Sequence, residues 1–196
     1  MVLEVSTEPS AARAASPEAI SVERWVDSAL SQVDRAALRD LLHAAFGDCF
    51  VDRIFFKQIP HERIVLRTEV GIVGQCGLDH RVMRADDGLI YTLGVIDLCV
   101  REELRGRRYG ERLMREVLAV ARTRSVDHVI LVANDGRIYQ RLGFSPLTAQ
   151  VTWLGIEDLN SVAVLTETLT DEIYTHPIRA PHPLRIRHLD FLGYMF

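Results

Sequence analysis

Two hydrophobic periods run along the chain and predict a mixture of helices and strands. Residues 31–46 place apolar side chains on one helical stripe, with Ser31 as N-cap and Gly47 after the last turn. Residues 110–124 show the same period, and residues 135–142 predict a short third helix. The runs with strand-like composition cover residues 20–26, 63–70, 75–84, 89–100, 128–133, 148–154 and 162–168.

The order of these elements indicates the fold class. The turn signal Asp86-Asp87-Gly88 joins two strands as a hairpin, so the centre of the chain predicts an antiparallel meander. Residues 128–133 are nearly all apolar, as expected of a strand buried on both faces. Residues 54–59 fit a helix or a strand. The chain therefore predicts an α+β (mixed α/β) fold with one central, mostly antiparallel sheet.

Composition separates the two ends from the middle of the chain. Residues 1–18 are rich in Ala, Ser, Pro and Glu and lack the pattern of a secretory signal, so we expect a disordered leader. We expect a single domain over residues 19–170. Residues 171–196, rich in His, Pro and Arg with an apolar end, are expected to form a tail that packs on the domain or on a partner.

Charge and cysteine content narrow the classes of function. A formal net charge of −4 argues against broad nucleic-acid binding, and no apolar run approaches the roughly 20 residues of a membrane-spanning helix. The three cysteines and seven histidines lack metal-ligand or redox spacing, so we expect no metal and a cytoplasmic location. The expected partner is a small molecule rather than nucleic acid or a membrane, and a homodimer is an alternative left open.

Residues 95–110 carry the most specific chemical signal in the chain. An apolar strand runs into an Arg/Gly turn that opens the second helix, and the first N–H groups of a helix bind anions. The turn lacks the glycine patterns of nucleoside-triphosphate and dinucleotide sites, so it predicts a site for another compact phosphorylated ligand. Six arginines lie in and just after this stretch, in a chain that is acidic overall: Arg101, Arg105, Arg107, Arg108, Arg112 and Arg115.

This turn resembles motif A of the GNAT acyltransferase superfamily, in which an Arg/Gln-x-x-Gly-x-Gly/Ala sequence wraps the pyrophosphate of coenzyme A. Arg105, Arg107, Tyr109 and Gly110 fit that motif. Arg108 stands where the first glycine is usual. We expect a negative φ to let Arg108 occupy that place and its side chain to contact phosphate.

A second motif supports the same resemblance. Asn134 and the residues 139–144, Tyr-Gln-Arg-Leu-Gly-Phe, are similar to the superfamily's Asn…Tyr-x-x-x-Gly-Phe signature. The resemblance implies helices on both faces of a sheet whose strands splay at an acyl-CoA cleft. The coenzyme A contacts that it implies are Leu98, Cys99, Val100, Arg105, Gly106, Arg107, Arg108, Tyr109, Gly110, Glu111 and Asn134.

The resemblance also implies catalytic roles. Tyr139 stands where the family places a general acid for the leaving thiolate, and a phenol with a pKa near 10 suits that task. Backbone N–H groups near Cys99 would polarise the thioester carbonyl. For the general base we expect Asp97, on the same strand face as Cys99, with Asp79 and His80 as alternatives.

The implied reaction is acyl-CoA-dependent N-acylation, with acetyl-CoA as cosubstrate and a primary amine that attacks the thioester directly. Weaker similarities reach the aminoglycoside 2′-N-acetyltransferases and the nodulation N-acyltransferases, which use longer acyl chains. A GNAT-fold sensor that binds coenzyme A or a metabolite without turnover is the non-enzymatic alternative. The sequence does not identify the acceptor. An aminoglycoside would need several converging carboxylates, for which the candidates are Asp79, Asp86, Asp87, Asp97, Glu157 and Asp158.

Overall fold

The computed structural model describes residues 19–196, so the leader predicted over residues 1–18 lies outside the described part. Short 3-10 turns occupy Asp27–Ala29, Gly47–Phe50 and Glu102–Leu104. In chain order the other elements are β1 (Ser21–Val26), α1 (Gln32–Phe46), β2 (Glu62–Thr68), β3 (Gly71–Ala85), β4 (Gly88–Val100), α2 (Tyr109–Arg122), β5 (His128–Val132), α3 (Arg137–Arg141), β6 (Ser145–Glu157), β7 (Asn160–Pro177) and β8 (His188–Tyr194).

The strands of residues 19–196 form one sheet in the order β1-β2-β3-β4-β5-β7-β6-β8, and β8 also pairs with the end of β3. Most neighbours are antiparallel, whereas β4–β5 and β6–β8 are parallel. The predicted α+β class with a mostly antiparallel sheet is therefore confirmed. The predicted end signals of α1 are also correct, because the Ser31 hydroxyl accepts a hydrogen bond from the Asp34 N–H and Gly47 has a φ of 73°.

The two long helices pack on opposite faces of the sheet. Ile64 and Leu66 of β2 belong to the core that α2 covers, whereas Val65 belongs to the core under α1. Successive residues of a strand point to opposite faces, so the helices lie on both faces, as the resemblance implies. A third apolar cluster joins buried residues of β6, β7 and β8 with Met83 of β3 and Ile130 of β5.

Two segments differ from the predicted elements. Residues 54–59 form neither a helix nor a strand. Residues 171–196, expected as a tail, contain the end of β7, which pairs with β5, and all of β8. Leu189 and Phe191 of β8 are fully buried. The sequence pattern missed β8 because its partners, β3 and β6, are distant in sequence and a Pro-, His- and Arg-rich segment precedes it.

The strands β4 and β5 diverge halfway along β4. Their parallel pairing runs from Thr92 opposite His128 to Val95 opposite Leu131. Beyond Val95, β4 keeps its β3 partner as far as Val100. One edge of the second half of β4 therefore faces an open cleft, which is the splay that the resemblance implies.

A β-bulge marks the point of divergence. Gly77 of β3 lies opposite Ile96, but Gln75 lies opposite Cys99, so β4 holds one residue more than β3 over this interval. Asp97 lies inside the bulge with a φ of 50°. Such a φ is uncommon, but Asp and Asn tolerate it better than most residues.

Candidate active site

A first cavity of about 360 Å³ lies where β4 leads into α2. The end of β4, the Arg/Gly turn and the first turn of α2 form most of its wall. Five lining residues were not predicted as contacts: Ala45, Phe46, Leu104, Ile138 and Arg141. Among the predicted coenzyme A contacts, the cavity brings together Leu98, Cys99, Val100, Arg105, Gly106, Arg108, Tyr109, Gly110 and Glu111.

The backbone of the turn keeps the conformation that glycine favours, although an arginine occupies the position. Arg108 is the N-cap residue of α2 with φ 63° and ψ 21°, so the expected negative φ is wrong. A left-handed conformation costs a non-glycine residue about 1–2 kcal/mol. The Arg108 side chain makes no capping hydrogen bond, and the first N–H groups of α2 point out of the helix as donors for an anion.

The charges around the first cavity favour an anionic ligand. Arg105, Arg108 and Arg141 line it. Within residues 19–196, one acidic residue lines it, Glu111, which forms ion pairs with Arg115 at 3.2 Å and with Arg141 at 3.4 Å. Positive charge therefore exceeds negative charge where the helix dipole also favours an anion.

Two predicted coenzyme A contacts lie apart from this lining. Arg107 and Asn134 are exposed, and among residues 19–196 they belong to the wall of neither the first cavity nor the second. Asn134 follows the end of β5 in a loop. Their roles stay predictions from the resemblance.

A second cavity of about 300 Å³ adjoins the first and shares Phe46 and Leu98 with it. It fills the gap between the diverging strands β4 and β5. Asp97 and Tyr139, the two predicted catalytic residues, both line it. The structure thus brings the predicted acid and base to one cleft, next to the arginine-lined cavity.

Tyr139 is held by aromatic neighbours at the β5 side of the second cavity. Its ring centroid lies 6.0 Å from that of Phe144 and 6.0 Å from that of Tyr174. Gly136 leaves room for the Tyr174 ring, which a Cβ at that position would strike. Burial raises the pKa of Tyr139 to about 12, so its hydroxyl holds a proton at neutral pH.

Asp97 lines the same cavity as Tyr139. Burial raises the pKa of its carboxyl to about 6, against the opposing charges of Arg63 and Lys57. Its Oδ2 atom is buried and has no hydrogen-bond partner among the described residues. A carboxylate in this state can accept a proton near neutral pH.

Cys99 lies two residues after Asp97 on β4, where the sequence predicts that both side chains share a strand face. Cys99 packs into the core under α1 and lines the first cavity, and Asp97 lines the second. Burial raises the pKa of the Cys99 thiol to about 12, so it is no ready nucleophile.

A buried polar network from β2 and β3 binds the backbone of the bulge. The Gln75 amide donates a hydrogen bond to the Asp97 carbonyl oxygen, and its own oxygen accepts one from Arg63 at 3.0 Å. Arg63 is fully buried and forms an ion pair with buried Asp27 at 2.5 Å. Removing either member of such a pair would leave an uncompensated buried charge. The intact network positions the Gln75 amide, which in turn holds the Asp97 carbonyl within the bulge.

The alternative bases occupy a different place. Asp79 lies 2.7 Å from His61, accepts a hydrogen bond from the Tyr194 hydroxyl at 2.9 Å and pairs with Arg81 at 2.8 Å. Asp79 and His80 line a separate surface cavity. Within residues 19–196, neither of them lines the cavity that holds Tyr139.

Sequence reasoning also missed three residues beside Asp97. Phe56 and Phe196 line the second cavity, and Lys57 lies with both of them and Asp97 in a small adjoining space. Lys57 is the only lysine in the 196-residue sequence. Every other Lys or Arg position in the sequence is an arginine, and this contrast is the feature by which the sequence could have marked Lys57.

The described part of the chain lacks the side-chain cluster of a metal site and the helix of a membrane span. Over residues 19–196, no cluster of three or more His, Cys, Asp or Glu side chains is placed to hold a metal ion. Over the same residues, no helix combines the length and the hydrophobicity needed to cross a membrane.

Sequence comparison finds one family model that matches the central segment. Residues 60–146 match the family model described as "Acetyltransferase (GNAT) domain". No curated protein matches the sequence. The matched residues include β2 to α3, and therefore most of the residues around both cavities.

Solved structures share the fold at low sequence identity. A GNAT family N-acetyltransferase from Escherichia coli (YhbS), in complex with CoA, is 14% identical over 92% of this chain and 93% of its own, with a TM-score of 0.58. Escherichia coli ElaA is 21% identical over 81% of this chain and 99% of its own, with a TM-score of 0.55.

A third similar structure belongs to a longer protein. The GCN5-related N-acetyltransferase from Kribbella flavida is 19% identical over 65% of this chain, with a TM-score of 0.51. The chain spans 33% of that protein. The match over residues 60–146 and these structures support the resemblance that the motifs predict: the central segment is similar to the GNAT domain model, and the chain shares the fold of GNAT structures.

Proposed function

We propose that the protein is an acyl-CoA-dependent N-acetyltransferase that moves an acetyl group from acetyl-CoA to a primary amine. The observation that carries this proposal is the continuity of the cleft. An arginine-lined anion site at the start of α2 leads past the free edge of β4 to a second cavity with Tyr139 and Asp97.

The first cavity suits the diphosphate of coenzyme A. The side chains of Arg105, Arg108 and Arg141 supply the countercharge, and the first N–H groups of α2 supply the hydrogen bonds. The edge of β4 that β5 leaves unpaired offers backbone groups to the pantetheine arm. Backbone N–H groups at this edge, near Cys99, would polarise the thioester carbonyl.

The second cavity suits the proton transfers. Acetyl-CoA supplies a thioester, whose carbonyl carbon forms a bond to the amine nitrogen as its bond to sulfur breaks. Asp97 accepts the proton that the amine nitrogen loses. Tyr139, protonated at neutral pH, donates its hydroxyl proton to the departing sulfur.

The Tyr139→Phe variant tests this function. We expect turnover to fall about 10²-fold, because a positioned general acid is lost, with the Kd for acetyl-CoA within about twofold of the wild type. Calorimetry gives the Kd, and thiol release during amine additions gives the turnover. Tyr91→Phe is the matched control, since Tyr91 is 52% exposed and lies on β4 outside the cleft.

The same assay separates an enzyme from a sensor. Tight binding of acetyl-CoA without thiol release for any amine would favour the sensor and reject the proposed function. Equal turnover in Tyr139→Phe and the wild type would remove Tyr139 as the acid while leaving the reaction in place.

A further inference from the structure

We infer, resting on the proposed acetyltransferase function, that the acceptor is a compact primary amine with an apolar, ring-sized body and a single basic group. The second cavity would hold the body of this amine and Asp97 would receive its amino group. Shape, closure and charge each support this inference.

The side chains that line the second cavity are apolar apart from those of Asp97 and Tyr139. Phe46 is 43% exposed and Phe56 is 39% exposed, so their rings present apolar surface that a ligand would cover. A volume of about 300 Å³ lies at the small end of ligand pockets. The remaining apolar lining comes from Val95, Ile96, Leu98, Leu131, Val132 and Phe196.

The segment that follows β8 closes one end of this cavity. The Arg81 guanidinium donates to the Tyr194 carbonyl at 2.6 Å, and the Lys57 ammonium donates to the Met195 carbonyl at 2.8 Å. The Phe196 ring then lies against Gly94 of β4, where a Cβ would clash with it. These contacts give the cavity a fixed aromatic wall, which limits the length of an acceptor.

The charge of the cavity suits one amino group rather than several. Among residues 19–196, Asp97 is the one acidic side chain in its lining, and the charges of Arg63 and Lys57 already act on it. A polycation would leave its other ammonium groups against rings and aliphatic side chains, at a high desolvation cost.

The other carboxylates proposed for an aminoglycoside do not converge on this cavity. Asp79 is engaged by His61, Arg81 and Tyr194. Asp86 accepts hydrogen bonds from the backbone N–H groups of residues 187 and 188. Glu157 and Asp158 are exposed at the β6–β7 turn, and Asp87 is exposed at the β3–β4 turn.

A matched amine panel tests the inference with the wild-type protein. The probes are 2-phenylethylamine, the polar monoamine ethanolamine, and the polycations spermidine and kanamycin. We expect kcat/KM for 2-phenylethylamine to exceed that for ethanolamine by about tenfold or more, since burial of a ring favours the complex by that order. The polycations should fall below 2-phenylethylamine by a similar factor.

Two variants connect the preference to the cavity wall. Phe196→Ala should raise kcat/KM for the larger tryptamine relative to 2-phenylethylamine by about tenfold, whereas Leu192→Ala should leave the ratio unchanged. Leu192 is the control because it lies on β8, four residues before Phe196, and is 52% exposed. Phe56→Ala should lower kcat/KM for 2-phenylethylamine relative to ethanolamine, and it tests the cavity wall from a residue far from Phe196 in sequence.

The outcomes distinguish this inference from the proposed function. Efficient acetylation of ethanolamine, spermidine or kanamycin, with 2-phenylethylamine weak, would overturn the inference and leave the acetyltransferase in place. Absence of thiol release with every amine, despite acetyl-CoA binding, would overturn both. An unchanged amine ratio in both Phe196→Ala and Phe56→Ala would show that these rings do not select the acceptor.

Discussion

Replacing Asp97 with asparagine should make the protein more stable at neutral pH and far less active. Burial raises the pKa of this carboxyl to about 6, from 3.8 in an unfolded chain, so the folded protein holds its charge at a cost. The Asp97→Asn change removes the charge and keeps the shape. Asparagine also tolerates the positive φ of 50° at this position, so the bulge should persist.

The size of the stability effect follows from the two pKa values. The difference between 3.8 and about 6 corresponds to about 3 kcal/mol. Because the folded protein binds the proton more tightly than the unfolded chain, the wild type loses this stability as the pH rises from about 4 to above 6. The free energy of unfolding of Asp97→Asn, relative to that of the wild type, should therefore rise by about 3 kcal/mol between pH 4 and pH 7.5.

Urea unfolding of both proteins at these two pH values measures the change. Comparing the difference at pH 4 with that at pH 7.5 cancels the pH-independent effect of exchanging a carboxylic acid for an amide. Asp40→Asn is the control, since the Asp40 side chain is 74% exposed on α1, and its difference should hardly depend on pH. A free-energy difference between wild type and Asp97→Asn that is the same at pH 4 and pH 7.5 would refute the assignment of a strained, buried charge.

The activity of the same variant tests the proposed base. In the wild type, kcat/KM should rise with pH through an apparent pKa of about 6, because the carboxylate is the reactive form. Asp97→Asn should lack this limb and lose about 10²-fold or more in kcat/KM. If the variant kept both the limb and the rate, the base would be another group.

Two further predictions concern cationic residues beside the cleft. Arg108→Gly should stabilise the fold by about 1 kcal/mol, because it relieves the left-handed strain at this position. Both Arg108→Gly and Arg108→Ala should weaken acetyl-CoA binding about tenfold, whereas Arg84→Ala, at an exposed position, should leave the Kd unchanged. Equal Kd values for wild type and the Arg108 variants in calorimetry would remove Arg108 as a phosphate contact. Lys57→Met should move the acid limb of the pH–rate profile to higher pH, because the Lys57 charge lowers the pKa of Asp97. Lys57→Arg should return the limb to its wild-type position, and an identical limb in both variants would exclude this coupling.

Local signals were sufficient to predict much of the fold and one end of the site. The Ser31 cap, the Asp86-Asp87-Gly88 turn and the apolar stripe of α2 each depend on residues that are close in sequence. The Arg/Gly turn is similarly local, and nine of the predicted coenzyme A contacts line the first cavity. Short-range periodicity and turn chemistry carry such information without knowledge of the tertiary fold.

The acceptor side of the cleft depends on contacts between distant parts of the chain. Phe56 lies in a segment without regular structure, and Phe196 reaches the cavity because β8 pairs with β3 and β6. The carbonyls of Tyr194 and Met195 are bound by Arg81 and Lys57, more than a hundred residues earlier. No pattern within either segment specifies these partners, so the sequence left the acceptor side open.

The cleft itself depends on two positions where the backbone departs from the regular pattern. A regular β4 would continue its pairing with β5 beyond Val95 and Leu131 and close the gap. The bulge at Asp97 ends that pairing, and the left-handed Arg108 turns the chain so that α2 begins at the first cavity. Left-handed residues elsewhere, such as Asp86 and Asp158, lie in hairpin turns, where this conformation is ordinary. At Asp97 and Arg108 the same strained conformation instead lies beside the two cavities that the proposed reaction needs, and it shapes their walls.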